Sequence, residues 1–285
     1  VLKNLEETPH HYTALITYNT LYRNIQGAKP TFKSWLKKQE DAYLTKGISG
    51  NSADVAEVIF QIKRNNYKCA SIKNSTWYEF KNNIWKEIDS GVTIMNYMND
   101  VLSDKFQEKC NFFNNDLLNK LTKGDIKKDE DEYNKLQDKV NAANKVANQL
   151  LDFPFKEKVM KELKNKFYDE NFYKKLDENK DLIGFNNGVY DLKNLKFRPG
   201  LPEDYISLST NIDYIKYDEH NKYIKQVDKF FSEIQPDQDM KNYVLDFFAG
   251  CLQGHVKSEQ FNIWTGCGAN GKSLAIQIFQ ESLGD

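Results

Sequence analysis

The sequence predicts an α+β chain, mostly helical with small antiparallel sheets, that runs into the start of an α/β domain. Three observations predict it. Apolar residues recur at helical spacing through much of the 285 residues. Two groups of short β-prone runs are punctuated by asparagine-rich turns. Towards the end, a β-prone run, a glycine-rich stretch and an amphipathic run follow one another in that order. A chain of this length, 40% hydrophobic and 13% aromatic, can bury one large core or two ordinary ones.

The elements can be justified in order. Residues 11 to 65 read as helices, with Asn51 or Ser52 placed to cap a run in which Val55, Ile59 and Ile62 share a face. The runs within residues 67–88 are short, aromatic and β-prone, with Asn82-Asn83 at a turn, so a three-stranded meander is expected there. Helical spacing resumes from Thr93 to about Leu121. The charged stretch TKGDIKKDEDEY then reads as a solvated connection. Beyond it, Val140, Ala143, Ala147, Leu150 and Leu151 follow a period of 3.6, and Phe155, Val159, Leu163 and Phe167 repeat it after Pro154, which predicts two packed helices. In IGFNNGVYDL, Asn187-Gly188 stands between β-prone runs and predicts a hairpin, because both central residues of a type I′ turn need positive φ. A second hairpin through KNLKFRPG follows. Ile224, Val227, Phe231 and Ile234 mark one further helix, and Met240, Tyr243, Val244, Phe247, Phe248, Cys251 and Leu252 another. The expected domains are therefore 1–130, helical with a meander at about 67–88; 131–255, α+β; and 256–285, the truncated start of an α/β domain. A first residue of valine and a last residue inside a helix exit lead us to expect an internal piece of a longer protein.

Charge and cysteine content narrow the function classes. Forty basic residues against 41 acidic ones give a net charge of −1, so no overall basic footprint for autonomous nucleic-acid binding is visible. Cys69, Cys110, Cys251 and Cys267 form no Cys-x-x-Cys pair, which predicts a reducing compartment and no structural zinc. Neither a signal-peptide core nor a run of membrane-spanning length is present, so a protein that is not secreted and has no membrane partner is expected.

The segment QFNIWTGCGANGKSLAIQIFQESLGD carries the chemistry. Gly266-x-x-x-x-Gly271-Lys272-Ser273 matches the phosphate-binding loop pattern, which chance would produce in roughly one such chain per hundred. Phe261, Ile263 and Trp264 supply a β-prone run before it; Leu274, Ile276, Ile278 and Phe279 supply a helix after it. Gly266, Gly268 and Gly271 lack Cβ atoms, so the backbone of Gly266, Cys267, Gly268, Ala269, Asn270 and Gly271 can curl its N–H groups around phosphate oxygens. Lys272 is the catalytic candidate, reaching the β- and γ-phosphates of ATP, and the Ser273 hydroxyl suits Mg²⁺. Cys267 reads as a loop filler rather than a nucleophile.

With those residues set out, the chain resembles the poxvirus-type primase-helicases of nucleocytoplasmic large DNA viruses, whose ATPase is a superfamily 3 AAA+ helicase. The Gly-Ala-Asn-Gly-Lys-Ser form of the loop, with Asn270 before Gly271, is similar to that family's version. LIGFNNGVYDLKNLKFRPGLPEDYISLSTNIDY, FFAGCLQGHVKSEQFNIWTGCGANGKS and SIKNSTWYEFKNNIWKEIDSG resemble the stretches leading into that motor, so the likeness spans about Tyr67 to Asp285. It implies an ATP-driven, usually hexameric ring that unwinds DNA at a cytoplasmic or nuclear viral replication site, with a primase on the same polypeptide or beside it. Gly266, Gly271, Lys272 and Ser273 match position by position; Asn270 matches without an assigned role. The acidic pair, sensor and arginine finger of such motors would lie beyond Asp285.

Other readings stay open at this point. The loop could belong to another P-loop NTPase or a kinase with an accessory domain, and residues 1–255 could serve as a non-enzymatic collar for assembly or partner binding. Asp129–Asp131 and Asp237–Asp239 each offer an Asp-x-Asp, more simply read as solvated or capping than as metal ligands. Trp77, Tyr78, Phe80 and Trp85 could stack on bases, but core packing is the simpler role. Lys33, Lys37 and Lys38 beside Trp35 read as a solvated face rather than a phosphate contact.

Overall fold

A computed structural model describes residues 30–127, 130–254, 262–266 and 268–284. The chain forms two compact units, one of residues up to Glu79 together with Lys86–Tyr173, the other of Phe80–Trp85 together with residues from Lys174 onward.

In the first unit, α1 (Pro30–Gly47) leads to α2 (Ser52–Lys63). Asn51 is the cap: its side chain accepts from Asp54 N at 2.8 Å, satisfying one of the amides a helix leaves unpaired. Strands β1 (Tyr67–Ser71), β2 (Thr76–Lys81) and β3 (Ile84–Ile88) form the expected meander in the order β1-β2-β3. Asn82 and Asn83, with φ of 52° and 69°, make the β2–β3 turn with the positive φ at both positions that a two-residue turn of this kind demands. Next come α3 (Val92–Tyr97), a π turn at Met98–Leu102 and α4 (Ser103–Lys123), which ends on left-handed Gly124. After the connection come α5 (Asp131–Gln149), α6 (Phe153–Phe167) and the short α7 (Phe172–Lys175).

Most residues of the helical faces read from the sequence are buried or half-buried, but Leu151, Val227, Met240, Tyr243 and Cys251 are exposed, and in the first unit the partners of the faces differ from expectation. Helix α5 packs mainly along α4, and α6 along α2 and β1, rather than principally on each other. Periodicity defines a face and not what covers it. Val55, Ile59, Trp77, Leu102, Leu150 and Leu163 fuse into one core. The Lys-rich connection is also less solvated than its charges imply, because Ile126 is buried against Leu117 and Leu136. The close α4–α5 packing means that the units do not divide near residue 130.

The second unit holds β4 (Leu182–Phe185), β5 (Gly188–Asp191) and β6 (Lys196–Arg198), an antiparallel meander in that order. Both hairpins expected there exist, but the first is one residue out of the expected register. Phe185 pairs with Gly188, so the turn residues are Asn186 and Asn187, and neither has positive φ. Their side chains take over the fixing: Asn187 Nδ2 donates to Tyr214 O and its Oδ1 accepts from Tyr214 N, both at 2.9 Å, while Asn186 Nδ2 donates to Asn211 O at 2.7 Å. Arg198 meets the Asp204 carboxylate in a two-pronged pair, 2.7 Å on each side, which holds the guanidinium pKa above its ordinary value. Trp85, in the same unit, is buried and donates its indole N–H to Pro202 O at 2.8 Å. Helices α8 (Lys222–Ile234), α9 (Gln238–Cys251) and α10 (Lys272–Leu283) complete the unit. Among the described residues no helix is long and apolar enough to cross a membrane.

Candidate functional site

The glycine-rich segment enters from Asn262–Gly266, which has no regular secondary structure and belongs to no described sheet. The β-prone run expected there thus forms no strand, since a strand needs a hydrogen-bonded neighbour and no described segment supplies one. Trp264 packs instead against Phe247 and Phe248, and Tyr243 Oη donates to Asn262 Oδ1 at 2.5 Å.

The loop turns through three left-handed residues, Gly268 (φ 90°), Ala269 (φ 48°) and Gly271 (φ 78°). Glycine tolerates such angles without cost; Ala269 is held there with some strain. Gly271 is also closely packed, because a Cβ on it would collide with Ile234 Cγ2 of α8. Gly266 has no positive φ and is small for a different reason. A Cβ there would overlap Asn270 Nδ2 and stand 2.7 Å from Lys272 Nζ. The lysine therefore folds back over the start of the loop, where its ammonium donates to Asn270 Oδ1 at 2.5 Å. Cys267 lies outside the described residues, as do Phe261, Lys33's side chain and Asp129.

Helix α10 begins at Lys272, and Ser273 is exposed in its first turn. Ala275 and Phe279 anchor the helix on α8 and α9: Ala275 is fully buried with Phe231, Val244 and Phe248, and the Phe248 and Phe279 rings stack at 4.7 Å. Between α8 and α9, buried Lys241 bonds Asp228 Oδ1 at 2.6 Å and Ser232 Oγ at 2.8 Å. The loop thus joins a fixed helix whose N-terminal amides face the turn, which is a local surplus of positive potential.

The remaining candidates resolve to structure. Trp77, Tyr78, Phe80 and Trp85 are all buried, as core packing requires. Asp237 caps α9 by accepting from Met240 N at 2.9 Å. Lys37 and Lys38 are exposed. Among the described residues no group of three His, Cys, Asp or Glu side chains could hold a metal ion. A depression of about 580 Å³ lined by Gln235, Pro236, Asp237, Asp239, Met240 and Tyr243 lies at the α8–α9 corner, and its lining holds no cationic side chain. Sequence reasoning did not foresee the Asn270–Lys272 pairing; the two-residue spacing across a glycine was its only trace.

A two-unit α+β chain ending in such a turn and helix has a recognisable kindred. Residues 56–253 match the family model described as D5 N terminal like, and the chain belongs to that family. Over 284 residues it is 37% identical to "Putative helicase L207/L206" of Acanthamoeba polyphaga mimivirus, covering 99% of this chain and 28% of that protein. It is 37% identical over 127 residues to "Putative helicase 184R" of Invertebrate iridescent virus 6, covering 44% of this chain and 13% of that protein. With "Putative primase C962R" of African swine fever virus (strain Badajoz 1971 Vero-adapted) it shares 26% over 133 residues, 46% of this chain and 14% of that protein. The chain thus spans well under a third of the length of each of these relatives.

Proposed function

We propose that this chain is part of a viral DNA-replication primase-helicase, and that residues 266–273 are the ATP-phosphate loop at the entry to its superfamily 3 AAA+ motor. The observation that carries the reading is the placing of the Lys272 ammonium over Gly266, in the concave side of a turn built from left-handed residues at the start of α10. The names of the relatives, which speak of helicases and a primase, agree with it.

These residues fit a nucleotide's anionic tail. Left-handed backbone at Gly268, Ala269 and Gly271 is the kind of conformation that lets loop amides gather around an anion, and the helix start adds its dipole. Lys272 offers three N–H donors to β- and γ-phosphate oxygens, and exposed Ser273 offers a hydroxyl to Mg²⁺. Mg²⁺, when bound, would supply charge neutralisation there, with Ser273 as the residue that would help to hold it. The protein's share is to bind, orient and hold positive charge where the transferred phosphoryl group develops negative charge. Unwinding of DNA, assembly into a hexameric ring and priming belong, in this reading, to the longer protein.

Binding of a fluorescent ATP analogue tests the reading. Lys272→Ala should weaken binding by at least about tenfold, the loss of one charge-assisted contact. In the longer protein the same change should lower steady ATP turnover by about 10²-fold. An unchanged rate there would overturn the assignment. Residues 1–285 alone should show no steady hydrolysis, since among the described residues no strand of a sheet adjoins the loop to position attacking water; turnover abolished by Lys272→Ala would refute that.

A further inference from the structure

The geometry points to Asn270 as the residue that positions Lys272 for the phosphate tail, an inference that rests on the nucleotide-binding reading above. The two side chains belong to residues flanking left-handed Gly271, and this reversal is what turns the lysine back across the loop. Asn270 Oδ1 accepts from Lys272 Nζ at 2.5 Å, and both groups sit where a Cβ of residue 266 would otherwise be. A free lysine side chain samples many rotamers, and fixing it forfeits that entropy on binding. Asn270 meets this cost in advance. Its amide is neutral, so the ammonium keeps its full charge, and among the described residues only one of its three donors is engaged. The other two remain for phosphate oxygens. A carboxylate at the same place would hold the lysine more firmly but would cancel the charge and repel the ligand. Gly266 completes the device by leaving room for the pair, which explains a glycine at a position whose φ does not call for one.

The test uses the 285-residue chain and two readouts. The first is the rate at which an amine-acetylating reagent modifies Lys272 in nucleotide-free protein, followed by peptide mass spectrometry. The second is the affinity for a fluorescent ATP analogue with Mg²⁺. Asn270→Ala should raise the acetylation rate about threefold, as expected for release of an exposed charge-assisted contact, and should weaken nucleotide binding about three- to tenfold. Gly266→Ala, whose nearest neighbours would be the Asn270 amide and the Lys272 ammonium, should raise acetylation similarly while leaving the thermal unfolding midpoint in place. Asn270→Asp should protect Lys272 from acetylation and yet weaken binding by on the order of a hundredfold. An acetylation rate unchanged by Asn270→Ala overturns the inference, because the lysine is then not held. So does faster acetylation with unaltered affinity, because the contact then positions nothing. If the unaltered chain and the longer protein both bind no nucleotide while acetylation still responds to Asn270→Ala, it is the phosphate-loop reading that has failed, and the positioning role falls with it.

Discussion

A methyl group at Gly188 would stand 2.5 Å from Phe197 Cζ and 2.6 Å from Arg198 O. One of those atoms is backbone of the paired strand and cannot step aside. Gly188→Ala should therefore cost about 1–3 kcal/mol, the usual range for overpacking, and a lowered urea midpoint of the second unit would show it. The sequence offered Gly188 as a turn residue; the structure makes it a strand residue kept small by its neighbour's ring. Tyr67 is a residue of another kind. Its hydroxyl donates to Glu79 Oε1 at 3.1 Å, and burial, reinforced by the charge of Glu79, pushes its pKa from 10.0 to about 12. A folded pKa above the unfolded one means that the native state holds this proton longer. The contribution is complete below pH 10 and is lost as pH rises towards 12. Stability measured by urea unfolding should accordingly fall between those values. Tyr67→Phe should flatten part of the fall and not all of it, since burial pushes Tyr78 up to about 12 as well.

At the scale of elements, local chemistry proved readable wherever a residue's own backbone decides the outcome. Asn82-Asn83 forms the expected turn, with positive φ at both positions, and of the two expected caps it is Asn51 that caps α2. Asn51→Ala should cost about 1 kcal/mol, seen as a shift in the thermal midpoint, because Asp54 N loses its acceptor. Readability ended where a distant partner decides. The Asn186-Asn187 turn takes its form from amide contacts to residues 211 and 214, more than twenty positions away, and no dipeptide rule contains them. The run before the glycine-rich loop had strand-forming residues but, among the described residues, no ladder to join, so Asn262–Gly266 forms no strand. In the candidate site the Gly266-to-Ser273 spacing is itself a property of the sequence. The coupling of Asn270 to Lys272 was not legible there, because it depends on how sharply the turn closes.

On the scale of the whole chain, amphipathic periods revealed the mass of buried surface but not its division. α4 and α5 read as belonging to either side of a charged connection, whereas their facing sides pack together and Ile126 is drawn in with them. The second unit, conversely, is not one continuous stretch. It includes Phe80–Trp85, whose Trp85 N donates to Ile206 O at 2.7 Å and whose Asn83 Oδ1 accepts from Gly200 N at 3.0 Å. Residues 174–285 prepared alone should therefore lack the Ile84, Val189 and Ile206 cluster, and should show poorly dispersed amide resonances around β4–β6. A well-dispersed spectrum from that piece would contradict this.

That borrowed hairpin tip bears on how such a chain can be inherited. A single genetic break anywhere between residues 86 and 173 would separate six residues from the body they help to fill, leaving one product with a surplus loop and the other with a gap under its small sheet. Recombination at one point thus yields no working second module, and the two bodies are expected to travel through evolution as a pair.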